Sequence, residues 1–313
     1  MSALQQMLIG PTGRTWVASG PACNWTGCAS SSDGTKLVAV SLTDAIDNVG
    51  RIYTSTDSGL TWTARGPTGG WRLCASSADG AKLIVVGSDG MGIYASTDSG
   101  VTWVARGPAG LYLTGCASSA DGTKLIVTGG AYPCQAYTSI DSGATWVFRS
   151  FSNNSLAACA SSADGTKLVA VGATTYDNPS QIYTSVNSGV TWVARGPAED
   201  WGRCASSANG TKLIAYSLGS GTAYISTDSG ATWTAQAVSS GIYSCAVSAD
   251  GTTLTVGNGS LGVSTSADSG ATWTVDRISG IYYLSGAASS ADGKKLVVVS
   301  RGASGRIYTS TTL

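Results

Sequence analysis

One eight-residue pattern, Ser-x-Asp-x-Gly-x-Thr-Trp, recurs through this chain and limits what it is able to fold into. Copies end at Trp62, Trp103, Trp146, Trp192, Trp233 and Trp273, and a partial copy, Gly13-Arg14-Thr15-Trp16, stands near the N-terminus. A short unit repeated many times cannot bury its apolar face alone, so neighbouring copies must stack. A second series keeps step with the first. Cys28, Cys74, Cys116, Cys159, Cys204 and Cys245 fall once per unit, with Ala287 in the seventh place, at spacings of 46, 42, 43, 45, 41 and 42 residues.

Each unit reads as four short strands, a to d. In the second unit strand a is Trp71 to Ser77, strand b is Lys82 to Val86, strand c is Ile93 to Ser96, and strand d follows Thr102-Trp103. Ala78-Asp79-Gly80 and Asp98-Ser99-Gly100 supply the a–b and c–d turns, since Asp and Gly suit tight reversals. Strand b is apolar at successive positions (Leu83-Ile84-Val85-Val86), the mark of a strand covered on both faces. Four-stranded sheets at this period describe an all-β, seven-bladed β-propeller of antiparallel blades. The blades fall near residues 24–66, 71–107, 112–150, 155–196, 201–237, 242–278 and 283–313 plus 13–20, one domain over 1–313. The last unit lacks strand d, and Arg14 to Gly20 is a strand d without a unit. Pairing of residues near 13–20 with residues 306–312 is therefore expected to close the ring and remove an open sheet edge.

The repeat resembles the Asp-box, or BNR repeat, of sialidases, sortilin-type receptors, some endoglucanases and a photosystem II assembly factor. The resemblance covers essentially the whole chain. It implies that Asp57, Asp98, Asp141, Asp228 and Asp268, with Asn187 in the fourth unit, tie the c–d hairpin together. It also implies that Trp16, Trp62, Trp103, Trp146, Trp192, Trp233 and Trp273 pack between sheets.

The composition excludes several functions. Only 12% of the residues are charged and the formal net charge is zero, so no field draws nucleic acid or anionic lipid. No apolar run is long enough to span a membrane. Met1 to Met7 lacks a basic region and an apolar stretch of signal-peptide length. A cytoplasmic protein, or a secreted one whose signal has been removed, is expected; oligomeric state is not encoded. The periodic cysteines read as small core residues, since Ala replaces one of them and no zinc spacing is present. Cys23 and Cys134 lie outside the period and are the candidate reactive thiols. No cofactor or metal is implied.

Any ligand is expected on the face of the b–c and d–a connections, which vary between units, because variable loops on a rigid scaffold commonly carry function. Three tryptophans fall outside the repeat: Trp25, Trp71 and Trp201. They sit three residues before the repeat cysteine, with Tyr112, Tyr243 and Tyr283 in the same stretch of other units and Arg72 and Arg203 beside them. Aromatic faces with nearby donors suit sugar stacking, and all eight are candidate ligand contacts. The alternative is that these aromatics plug the inner end of the d–a connection as core.

Catalysis finds less support. The chain has no histidine, which removes Ser-His-Asp chemistry. Outside the turns the carboxylates are Asp44, Asp47, Asp89, Asp177, Asp200, Asp276 and the single Glu199. The resemblance to sialidases implies an arginine triad, a Tyr–Glu pair and an Asp acid; no such triad is visible in the sequence, and no catalytic residue is assigned. The expected function is a non-enzymatic binding or scaffold propeller with a protein or glycan partner. The alternatives are a lectin-like multivalent carbohydrate-binding protein and, third, a sialidase-like glycoside hydrolase.

Overall fold

The computed structural model describes residues 7–9, 14–45, 47–88, 90–107, 110–129, 135–151, 155–174, 180–236, 238, 241–259, 262–278 and 283–311. Among these the chain forms seven antiparallel sheets and no helix, the architecture of a seven-bladed propeller. Blade 1 comprises Cys23–Ser30, Leu37–Asp44, Ile52–Ser55 and Thr63–Arg65, hydrogen-bonded in that order as strands a to d. The next five blades repeat it. Strand b behaves as its apolar run requires: Leu83–Gly87 is buried at every position. The core lies in layers between blades, where Val38, Val40 and Ile52 of blade 1 meet Trp71, Cys74 and Val85 of blade 2.

The last sheet joins the two ends of the chain. Leu284–Ser289, Lys295–Ser300 and Ile307–Thr311 are its first three strands, and Thr15–Ser19 is its fourth, in register from Thr15↔Thr311 to Ser19↔Ile307. Met7–Ile9 adds a fifth strand outside Thr15–Ser19, which sequence reasoning missed because three residues carry no periodicity. Trp16 fixes this closure. It is 1% exposed and its Nε1 donates to the Asp276 carboxylate of blade 6 at 3.3 Å, while Arg14 donates to the Gly293 carbonyl. Trp62, Trp103, Trp192, Trp233 and Trp273 instead stay half-buried and donate to the glycine carbonyl of their own turn. Trp146 has the same half-buried setting, but its Nε1 has no partner.

The rim carrying the a–b and c–d turns satisfies itself. Asp98 accepts from Ser96 Oγ, Thr102 N and Thr102 Oγ1 at 2.8, 2.8 and 2.6 Å. Asp57, Asp141, Asp228 and Asp268 repeat the pattern, and Asn187 keeps it with an amide. Hydrogen bonds to the ionised form hold Asp98, Asp141, Asp228 and Asp268 at about 2, the threonine hydroxyl first. The a–b turns use a second aspartate, as where Ser77 Oγ and Ala81 N donate to Asp79, with Asn209 in its place in blade 5.

Two further sets of contacts tie blade to blade. Ser32, Ala78, Ala120, Ala163, Ala208, Ala249 and Ala291 each donate their backbone N–H to the carbonyl of the next, and Ala291 donates back to Ser32, at 2.7–2.9 Å. Lys36, Lys82 and Lys167 reach the c–d turn of the following blade at Ser99, Ser142 and Ser229. The lysine stem crosses the next a–b turn so closely that a Cβ on Gly80 would lie 2.7 Å from Lys36 Cβ, and Gly80 also takes a φ of 65°. No helix among the described residues is long and apolar enough to cross a membrane.

Candidate functional site

Strand a of every blade carries a bulge at one position, where the pairing with strand b shifts register: Trp25/Gly27, Trp71/Leu73, Leu113/Gly115, Leu156/Ala158, Trp201/Arg203, Ile242/Ser244 and Leu284/Gly286. The residue before each bulge is core. Trp25, Trp71, Leu113, Leu156, Trp201, Ile242 and Leu284 are all 0% exposed. This corrects the expectation that Trp25, Trp71 and Trp201 stack on a ligand. Their rings pack edge-on against Tyr53, Tyr94 and Tyr224 at 5.3, 5.3 and 5.2 Å, and no face is open. The signal was present in the sequence: three residues before the Cys or Ala of the other units stands Leu113, Leu156, Ile242 or Leu284, all aliphatic. The tyrosines lie one residue off that column.

A bulge re-aims the side chain that follows it. In three blades this residue is a hydroxyl that staples the next blade: Thr26, Thr114 and Ser285 donate to the carbonyls of Trp71, Leu156 and Trp25 at 2.7, 2.6 and 2.7 Å. Blade 2 places Arg72 there, and blade 5 places Arg203 one residue further on.

These departures build a cavity of about 330 Å³ at the mouth of the central channel, on the side of the b–c and d–a connections. Arg72, Arg203 and Arg301 line it, with Asn24, Thr114 and Ser155 among the neutral polar residues, and no Asp or Glu lies among the described lining residues. Arg203 Nε and Nη1 donate to the Tyr243 and Gly202 carbonyls at 2.8 and 2.9 Å. Burial lowers the Arg203 pKa, and repulsion from Arg301 and Arg72 adds to the effect. The Arg72 guanidinium lies 4.4 Å over the Tyr112 ring, and its Nη1 is buried without a hydrogen-bond partner. Tyr112, Tyr243 and Tyr283 are 44%, 36% and 56% exposed, and Tyr243 and Tyr283 meet edge to face at 5.8 Å. Of the sequence candidates, then, Arg72 and Arg203 converge and the tyrosines stay accessible. Arg301 was missed: it sits in the last b–c loop, and only ring closure brings blade 7 to Arg72 and Arg203.

Below Arg203 lies a second space of about 140 Å³ bordered by Cys28, Cys116, Cys159, Cys204 and Cys245. None of the seven described cysteines forms a disulfide. Burial raises every one of these thiols, Cys159 and Cys245 to about 12. Cys23 is corrected as well. It is 0% exposed and burial raises it to about 11, the opposite of a reactive thiol. Cys134 lies outside the described residues.

The carboxylates free of the turns are engaged elsewhere. Arg51 forms ion pairs with Asp44 and Asp47, Thr174 N donates to Asp200, and Trp16 holds Asp276. Glu199 accepts from Ser217 Oγ and Tyr224 Oη at 3.0 and 3.3 Å. Asp89 and Asp177 lie outside the described residues. Among the described residues no group of three His, Cys, Asp or Glu is disposed to hold a metal ion.

Residues 45–200 match the DUF6242 beta propeller domain. No curated protein matches the chain. Hydrazine synthase of Kuenenia stuttgartiensis is similar over 90% of this chain and 94% of its own, at 15% identity and a TM-score of 0.71. A GH74 enzyme of Niastella koreensis is similar over 93% of this chain and 68% of its own, at 13% identity and a TM-score of 0.56. At these identities the likeness is one of fold, and a shared propeller carries no function with it.

Proposed function

We propose that this chain is a binding propeller without catalytic chemistry of its own, which holds a protein or glycan ligand over the central cavity on the face of the b–c and d–a connections. The contrast between the two rims carries this reading. On one rim the turn carboxylates are consumed by local hydrogen bonds, repeated blade after blade. On the other, individual blades break the repeat at Arg72, Arg203 and Arg301, and these breaks face one space.

Hydrolysis of a glycosidic bond needs placed carboxylates, and none borders the cavity among the described residues. That supports binding over a sialidase-like hydrolase. The lectin-like alternative keeps one specific support, the exposed Tyr112, Tyr243 and Tyr283, whose rings suit a pyranose face. The cavity favours one central ligand over many equivalent sites.

Ala157 lines the cavity at the bulge of blade 4, so Ala157→Trp fills it. A glycan array and candidate protein partners should bind the parent and lose signal with this variant. Binding indifferent to Ala157→Trp would move the ligand elsewhere. Turnover of a fluorogenic glycoside that Ala157→Trp abolishes would overturn the non-enzymatic reading.

A further inference from the structure

We infer that the group recognised in the central cavity is an anion, a carboxylate or a phosphate, received by Arg72, Arg203 and Arg301. The inference rests on the reading of this face as the binding face and names the chemistry it selects. Three guanidiniums from blades 2, 5 and 7 border one space of about 330 Å³, and no Asp or Glu stands among the described lining residues to balance them. Such a space holds roughly ten waters, or one sugar-sized group. Like charges gathered in a recess raise each other's energy, and an anion between them removes that penalty.

The side chains of two of these arginines and the backbone of the third are held in place. Two nitrogens of Arg203 are bound to the backbone carbonyls of Tyr243 and Gly202, which fixes the direction of the fork. Arg72 is laid on Tyr112 and keeps a buried, unpartnered Nη1, a donor that lacks an acceptor in this fold. The loop bearing Arg301 is tied down on both sides of the ring's seam: Arg301 N donates to the Tyr283 carbonyl, and Gly302 N donates to Asn24 Oδ1 of blade 1. Rigid guanidinium forks match the two oxygens of a carboxylate or phosphate, whereas a neutral hydroxyl satisfies one N–H at a time. A positively charged protein segment is disfavoured here by the same three charges.

Calorimetry with glucose, glucuronate, glucose 6-phosphate and inorganic phosphate separates the possibilities, because the three sugars share one ring and differ in the charged group. At least one anion should bind and glucose should not; preference between glucuronate and glucose 6-phosphate identifies the anion. Arg72→Gln and Arg301→Gln should each weaken binding at least about ten-fold, as charge-assisted hydrogen bonds are worth about 1.5–3 kcal/mol. Raising NaCl from about 50 to about 500 mM should weaken it several-fold through screening. Arg301 is exposed, so its variant should melt with the parent and keeps the test clear of misfolding. Glucose binding as tightly as the charged sugars overturns the anion inference and leaves the binding face standing. Anion binding undiminished in both arginine variants, or no binding of any anion at millimolar concentration, also overturns it. In that last case a neutral ligand lost with Ala157→Trp still supports the face.

Discussion

Trp201 offers the sharpest test of where the core ends and the site begins. It is 0% exposed, packs against Tyr224 at 5.2 Å, and leaves its indole Nε1 without a partner. Truncation to Ala empties the slot, and buried Trp-to-Ala changes cost about 3–5 kcal/mol. Trp201→Leu installs the residue that fills the same place at Leu113, Leu156 and Leu284. Loss of packing from that smaller change is about 2 kcal/mol. Removing an orphaned buried N–H returns about 1 kcal/mol, so the net cost is about 1 kcal/mol. Urea unfolding followed by circular dichroism measures both, with unchanged slope as the check that the unfolded state is comparable. Both variants should keep ligand binding, because the ring faces the interior of the blade layer. The reasoning fails if Trp201→Ala unfolds with the parent, or if Trp201→Leu abolishes binding at undiminished stability.

Other consequences are measurable. Removing residues 1–19 takes away strand d of the last blade and exposes Ile307–Thr311 as an edge; aggregation or a clearly lower unfolding midpoint is expected, and a monomer melting with the parent would refute the closure. The turn aspartates Asp98, Asp141, Asp228 and Asp268 sit at about 2 in the folded protein against an ordinary 3.8. Their contribution is therefore complete above about pH 4 and is lost as pH falls toward 2, so urea midpoints should be level near neutrality and drop in that window. A flat profile down to pH 2 would show that these bonds do not stabilise the fold. Cys23 should resist a disulfide reagent at pH 8 until denaturant is added, and rapid native labelling mapped to Cys23 would contradict its burial. Gly80→Ala should cost about 1–2 kcal/mol or more, since the left-handed backbone penalises a Cβ and Lys36 already occupies its space; an unchanged urea midpoint would count against that contact.

The fold was legible because its determinants are local and repeated. Asp98 and Thr102 bond within one turn, strand b is apolar over consecutive residues, and the missing strand d announced its own partner. The strand Met7–Ile9 escaped notice because it is short and pairs with nothing near it in sequence except Thr15–Ser19. The site was legible only in part. Arg72 and Arg203 drew attention by standing beside large aromatics, for the wrong reason: Trp71 and Trp201 occupy an aliphatic slot, and the bulge beyond them redirects the arginines into the channel. Arg301 lies 98 residues beyond Arg203 in the chain, and no spacing rule links blades 2, 5 and 7 across a torus.

The seven backbone bonds from Ser32 round to Ala291 all run in the same rotational sense. Each peptide unit carries a dipole of about 3.5 D, and an α-helix adds such vectors along its axis until its two ends bear opposite partial charge. Wound into a closed circle, the same vectors cancel across the diameter, and the circuit has neither a head nor a tail. The ring of peptides therefore adds no net dipole along the pore at that end. At the opposite mouth Arg72, Arg203 and Arg301 stand with no Asp or Glu among the described lining residues, so the attraction an anionic visitor meets there belongs to side chains and not to the backbone ring.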